Sequence, residues 1–248
     1  MAERLTIDVS ERERVTGLAY AASENDRAGV TLVLAHGAGA GQSSPFMVRF
    51  AGGLAARGLD VVTFNFLYTE ERRRVPDRPE KLEACYRAAI AAARAYSPFA
   101  SNAVCIGGKS MGGRIASHLA AVEGDSADRV IAGLVFLGYP LHPPGKPQQL
   151  RAAHLAHIRA PMLFVQGSRD PFGTPAELRS VLEGLTAPVT LHIVENADHS
   201  LAPPKSGPAS VDQVYDNVQD TIVGWVKEQA RIGPGSASLP NQHAAPNG

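Results

Sequence analysis

The chain has 248 residues, of which 44% are hydrophobic and 19% charged, and its 24 basic and 24 acidic side chains leave a formal net charge of zero. That is room for one large α/β domain with a substantial core. The balanced charge gives no footing to nucleic-acid binding, an acidic membrane surface or a polyanionic substrate. The two cysteines, Cys85 and Cys105, make no disulfide framework, and neither belongs to a C-x-x-C or Cys/His cluster of the kind that holds zinc.

The first residues, MAERLTIDVSERER, carry charges early and lack a basic-then-apolar leader. No apolar run approaches the length of a membrane span, so the expected location is the cytoplasm. Arg4 to Val9 and Arg14 to Tyr20 alternate apolar and polar residues, the pattern of two half-exposed strands forming an antiparallel hairpin. After a turn at Asp26 to Gly29, Val30 to Ala35 (VTLVLA) reads as a strand buried on both faces of a parallel sheet. It runs into His36-Gly37-Ala38-Gly39-Ala40-Gly41, a loop almost without side chains. A helix is expected from about Ser44 to Arg57, closed by Gly58.

Asp60 to Phe64 is the next strand. Asn65 to Pro79 is a polar loop containing Arg72, Arg73 and Arg74, and an alanine-rich helix follows from about Glu80 to Tyr96. Ala103 to Ile106 is a strand that meets Gly108-Lys109-Ser110-Met111-Gly112, a G-x-S-x-G sequence, and then a helix to about Val122. Val130 to Leu137 is a buried strand, Gln148 to His157 a modest helix, and Met162 to Gln166 a strand. Thr174 followed by Pro175 opens a further helix. Val189 to Val194 is the last strand and Val211 to Gln229 the last helix. Residues 1–230 read as a single domain; from Arg231 to the end, glycine, proline, serine and asparagine dominate, the composition of a disordered tail. Eight strands alternating with helices after an initial hairpin predict a mostly parallel, doubly wound α/β sheet with helices on both faces.

G-x-S-x-G places a serine on a sharp strand-to-helix turn. A serine needs a base in hydrogen-bond reach and a third group to orient that base. Three loops after strands supply them in the order Ser110, Asp170, His199, where loops at the carboxyl ends of parallel strands gather into one site. Asp198 adjoins His199 but is poorly placed to swing back onto the same ring, so Asp170 is the expected orienter. The oxyanion donors are expected to be the backbone N–H groups of Met111 and Ala38, with Gly39 the second choice for the latter. The glycine-rich loop lacks G-x-G-x-x-G at the right offset and a phosphate-binding lysine, which argues against nucleotide.

Gly39, Gln42, Phe66, Tyr68, Tyr139, His142 and Phe172 fall in loops near the same end and are the expected pocket wall. Lys109 and Arg114 flank the serine; pairing with structural carboxylates is the first reading, attraction of an anionic substrate the second. The Arg72–Arg74 run reads as a solvated loop. His118, His154, His157 and His192 show no ligand spacing, and no metal or organic cofactor is expected.

Together HGAGAG, GGKSMGGR, YPLHPPGKP, GSRDPFGTP and ADHSL resemble the small α/β-hydrolases related to dienelactone hydrolase, in particular a bacterial branch with the GKSMGG elbow that is related to a testis-expressed animal protein. The resemblance runs from about Ala19 to Lys227. It implies an α/β-hydrolase fold and the nucleophile, acid and base roles for Ser110, Asp170 and His199; only about two dozen residues separate Leu137 from Pro161, too few for a large lid domain. Dienelactone hydrolase itself uses cysteine where this chain has Ser110. The expected function is therefore hydrolysis of a small carboxylic ester or thioester through an acyl-enzyme, with no nucleic-acid or membrane partner. A peptidase or amide hydrolase, and a non-catalytic hydrolase-like scaffold, are the alternatives.

Overall fold

The structure is a computed structural model that describes residues 2–123 and 131–232. Eight strands form one sheet: β1 Glu3–Asp8, β2 Arg14–Tyr20, β3 Val30–Ala35, β4 Asp60–Phe64, β5 Ala103–Lys109, β6 Gly133–Leu137, β7 Met162–Gly167 and β8 Val189–Val194, in the spatial order β1-β2-β4-β3-β5-β6-β7-β8. β1 pairs antiparallel with β2 and β2 antiparallel with β4, while every other pairing is parallel. The alternating strands take the edge, where one face meets solvent. The continuous apolar runs β3, β4, β6 and β7 are buried at every residue.

Among the described residues, six α-helices flank the sheet: α1 Pro45–Ala55, α2 Leu67–Glu70, α3 Pro79–Ala95, α4 Met111–Glu123, α5 Pro175–Leu182 and α6 Val211–Ile232. Two apolar clusters sandwich the sheet. On one side Phe50, Leu54, Ile222 and Val226 of α1 and α6 pack against Leu32, Val61 and Val135. On the other, Leu82, Tyr86, Ile115, Leu119 and Leu178 of α3, α4 and α5 pack against Val33, Ile106 and Phe136. Both faces of the central strands are thus removed from water, the condition under which a parallel sheet is stable. Tyr86 is fully buried, and its hydroxyl lies 2.7 Å from the Val33 carbonyl oxygen and 2.8 Å from the Gly107 N–H.

The elements depart from expectation in a few places. The polar 65–79 segment contains α2, a single turn too short to carry a readable 3.6-residue period. The helix expected over 148–157 is only a 3₁₀ turn at Ala153–His157. Pro143, Pro144, Gly145 and Pro147 keep residues 142–150 in a loop, which is closed at its base by the Arg151 N–H on the Leu141 carbonyl at 2.8 Å. α6 runs to Ile232, past the expected domain end; the rest of the expected tail, and Val130 at the expected start of β6, lie outside the described residues. Among the described residues no helix is long and apolar enough to cross a membrane.

Candidate active site

β5 and α4 meet at Ser110, which sits at φ 51°, a left-handed conformation that costs a side-chain-bearing residue energy. Its neighbours make the turn possible. A Cβ on Gly108 would stand 2.5 Å from the Ala35 carbonyl oxygen, and one on Gly112 2.5 Å from that same atom and 2.7 Å from the His36 carbonyl oxygen. Only glycine lets α4 approach β3 this closely. The Ser110 N–H is held by the Leu137 carbonyl at 3.0 Å, so the hydroxyl is presented beyond the carboxyl end of the sheet.

Two loops from the following strands converge on that hydroxyl. His199 Nε2 lies 2.8 Å from Ser110 Oγ, and His199 Nδ1 lies 2.7 Å from Asp170 Oδ2. A carboxylate accepts, so Nδ1 carries the ring proton and Nε2 is left to accept from the serine. Asp170 is 1% exposed, and its oxygens also accept from the Phe172 N–H and from Gln166 Nε2, each at 2.8 Å. Phe172 stacks on the imidazole at 4.2 Å between ring centroids, fixing the ring from one side. Asp198 does other work: its Oδ1 accepts the Ser200 and Ala202 N–H groups and staples the loop that carries His199.

The glycine-rich loop passes over the serine, close enough that a Cβ on Gly37 would lie 3.5 Å from Ser110 Cβ. Ala38 and Gly39 are exposed, and Gly39 is at φ 73°. Met111 opens α4, so its N–H has no carbonyl one turn back within the helix. His36 shapes this loop from beneath. Its Nε2 accepts the Phe66 N–H at 3.2 Å, so Nδ1 holds the proton and donates to the Gly37 carbonyl at 2.8 Å. Burial pushes its pKa down to about 4, which keeps that tautomer neutral.

The expected pocket wall is only partly assembled here. Phe172 lies against His199, Gly39 belongs to the exposed loop, and Tyr68 lies beneath that loop with its ring 6.0 Å from the His36 ring and its hydroxyl buried. Gln42 is not a wall residue: it is buried, its Nε2 donates to the Thr16 carbonyl at 2.8 Å and its Oε1 accepts from Thr63 at 3.2 Å. Tyr139 is likewise built into the core against Phe136 and Phe164, with its hydroxyl on the Arg151 carbonyl at 3.1 Å. His142 is buried with Nδ1 on the Pro143 carbonyl at 2.9 Å and Nε2 3.4 Å from Glu177. Phe66 packs edge-on against His36 and Phe64 in the core.

Among the described residues, neither flanking cation forms an ion pair with a carboxylate. The Lys109 ammonium bonds the backbone carbonyl of His199 and lies over the Phe46 ring at 5.7 Å. Arg114 forms no ion pair among the described residues, and burial together with the nearby Arg151 lowers its pKa. In the basic loop, Arg73 is tied to Glu71 at 2.6 Å and Asp77 at 2.7 Å. Gln166, which no motif signals, is the hub behind Asp170: its Oε1 accepts the Tyr139 N–H at 2.8 Å and its Nε2 reaches both Asp170 and the Gly173 carbonyl. Among the described residues, no three His, Cys, Asp or Glu side chains are grouped so as to hold a metal ion.

The sequence profile of an alpha/beta hydrolase domain family matches residues 28–227. Similar solved structures include an alpha-beta serine hydrolase homologue from Coxiella burnetii, at 17% identity and TM-score 0.69 over 90% of this chain and 96% of that one. A dienelactone hydrolase from Anabaena variabilis is similar at 22% identity and TM-score 0.68, over 89% and 95% of the two chains. A serine hydrolase without a lid from Xanthomonas campestris is similar at 18% identity and TM-score 0.66, over 93% and 94%.

Proposed function

Since the chain belongs to the alpha/beta hydrolase domain family, we propose that it is a serine hydrolase that cleaves small carboxylic esters or thioesters through an acyl-enzyme on Ser110. The observation that carries this reading is the unbroken chain Ser110 Oγ–His199 Nε2 at 2.8 Å and His199 Nδ1–Asp170 Oδ2 at 2.7 Å. His199 takes the hydroxyl proton as Ser110 Oγ attacks the substrate carbonyl carbon, and Asp170 holds the imidazolium that forms. The carbonyl oxygen becomes an oxyanion that accepts from the Ala38 and Met111 N–H groups. As the tetrahedral intermediate collapses, the bond to the leaving alkoxide or thiolate breaks and His199 returns the proton to it. Water then repeats the sequence on the acyl-enzyme, releasing the carboxylic acid and restoring Ser110.

The segment between β6 and β7 holds only a proline-rich loop and one 3₁₀ turn, so the reading implies an open, lidless site and a small substrate. Labelling with a fluorophosphonate probe, followed by intact-mass and peptide analysis, tests it. The expected result is a single adduct on Ser110, absent in Ser110→Ala, with that variant also losing turnover of an activated ester. A well-folded protein that takes up no adduct would overturn the reading in favour of a non-catalytic scaffold.

A further inference from the structure

Lys109 is the residue immediately before Ser110, at the last position of β5, and its chain is mostly removed from water. A lysine in such a place normally reaches a carboxylate or snorkels to solvent. Among the described residues this one pairs with no carboxylate: its ammonium donates to the backbone carbonyl of His199. Room for that reach is left by Gly138, at φ 66°, where a Cβ would stand 2.7 Å from the His199 carbonyl oxygen, 3.0 Å from Lys109 Nζ and 3.3 Å from His199 Nδ1. Three strand-end segments thus meet at one ammonium: the elbow after β5, the loop after β6 and the loop after β8. The Phe46 ring of α1 covers it at 5.7 Å. The acidic groups that face it are Asp170 and Asp198, both of which favour its charged form. Burial opposes them and wins, bringing its pKa down to about 8.

We propose, on the basis of the hydrolase reading, that Lys109 is a positioning residue that latches the loop of His199 to the strand end carrying Ser110. The latch acts on the backbone of the base, whose ring is already held by Asp170 and Phe172. Without it, the ring keeps its partners but the loop that sets its height above Ser110 Oγ loses its tie to β5. Burying the Lys109 ammonium without a carboxylate partner costs stability, so its contribution is to the geometry of the site rather than to the strength of the fold.

Lys109→Met and Lys109→Gln test this against the wild type. Lys109→Met is expected to keep its melting temperature or raise it, yet to lose about 10–100-fold in kcat on an activated ester with little change in KM, the usual cost of a base displaced by a fraction of an ångström to 1 Å. Lys109→Gln, which retains a donor, is expected to fall between the two. Amide exchange at Leu201 and Ala202 should accelerate in Lys109→Met, a readout that does not depend on turnover. A Lys109→Met variant with wild-type kcat and unchanged exchange would overturn the latch while leaving the hydrolase reading intact. Failure of the wild type to react with the fluorophosphonate would overturn the hydrolase reading, and the exchange measurement would still decide the latch.

Discussion

Asp170 spends its carboxylate on three donors, the His199 ring, the Phe172 N–H and the Gln166 amide, which is why the imidazole has one tautomer and one orientation. Asp170→Asn is expected to fold normally but to lose on the order of 10⁴-fold in kcat, because its amide can donate to Nδ1 and leave Nε2 protonated toward Ser110; steady-state turnover of an activated ester with a parallel melting curve checks this. Lys109 makes a pH-dependent prediction of its own. Its pKa is about 8 in the folded protein against 10.5 for a free lysine, so between those values the unfolded chain binds more protons than the folded one and stability rises with pH. Melting temperatures of the wild type should therefore gain on those of Lys109→Met from pH 8 to 10, and an equal pH response in both would contradict the assignment. The convergence of Ser110, Asp170 and His199 was legible because each follows a readable strand and strand ends of a parallel sheet gather at one edge. Gln166 and the partner of Lys109 were not, since a hub glutamine on an apolar strand and a lysine bonded to a carbonyl have no spacing signature. Gln42, Tyr139 and His142 look like pocket residues from their loop positions, but proximity in sequence to a strand end does not say which way a side chain turns.

At the level of elements, local chemistry and local structure agree best where a helix end is written in side chains. Thr174 and Glu177 form a reciprocal capping box, with the Thr174 N–H on Glu177 Oε2 at 2.8 Å and the Glu177 N–H on Thr174 Oγ1 at 3.4 Å, and Pro175 follows as the first helical residue. Thr174→Ala should cost about 1 kcal/mol of stability, measurable by denaturant unfolding, with Ser110 labelling unchanged. The strands β3, β4 and β8 were readable to the residue because apolar runs bounded by turns leave little latitude. The helix expected over 148–157 failed because its apolar and alanine content spoke for a helix while four upstream backbone constraints, three prolines and a glycine, kept most of that segment in a loop.

Over the whole molecule, the two apolar clusters share one sheet and neither can be exposed without uncovering the other's strands. Leu119→Ala on one side and Ile222→Ala on the other are each expected to cost about 2–5 kcal/mol and to lower a single common unfolding transition; separate transitions in calorimetry would show that the layers melt independently. The fold class was legible from the alternation of strands and helices, but the connection between the N-terminal hairpin and the rest was not. The matched family profile begins at residue 28, beyond that hairpin. Yet Thr16 of β2 accepts from Gln42 through its carbonyl and donates to Glu70 at 2.7 Å through its hydroxyl, while Glu70 also accepts from Asn65, whose own side chain receives the Gln42 N–H. A chain begun at the family boundary would strip β4 of its outer neighbour and orphan that ring of amides and carboxylate, which abuts the glycine-rich loop where a Cβ on Gly41 would lie 3.2 Å from Asn65 Oδ1. For anyone trimming this protein for expression, the first twenty residues belong with the sheet and should be kept.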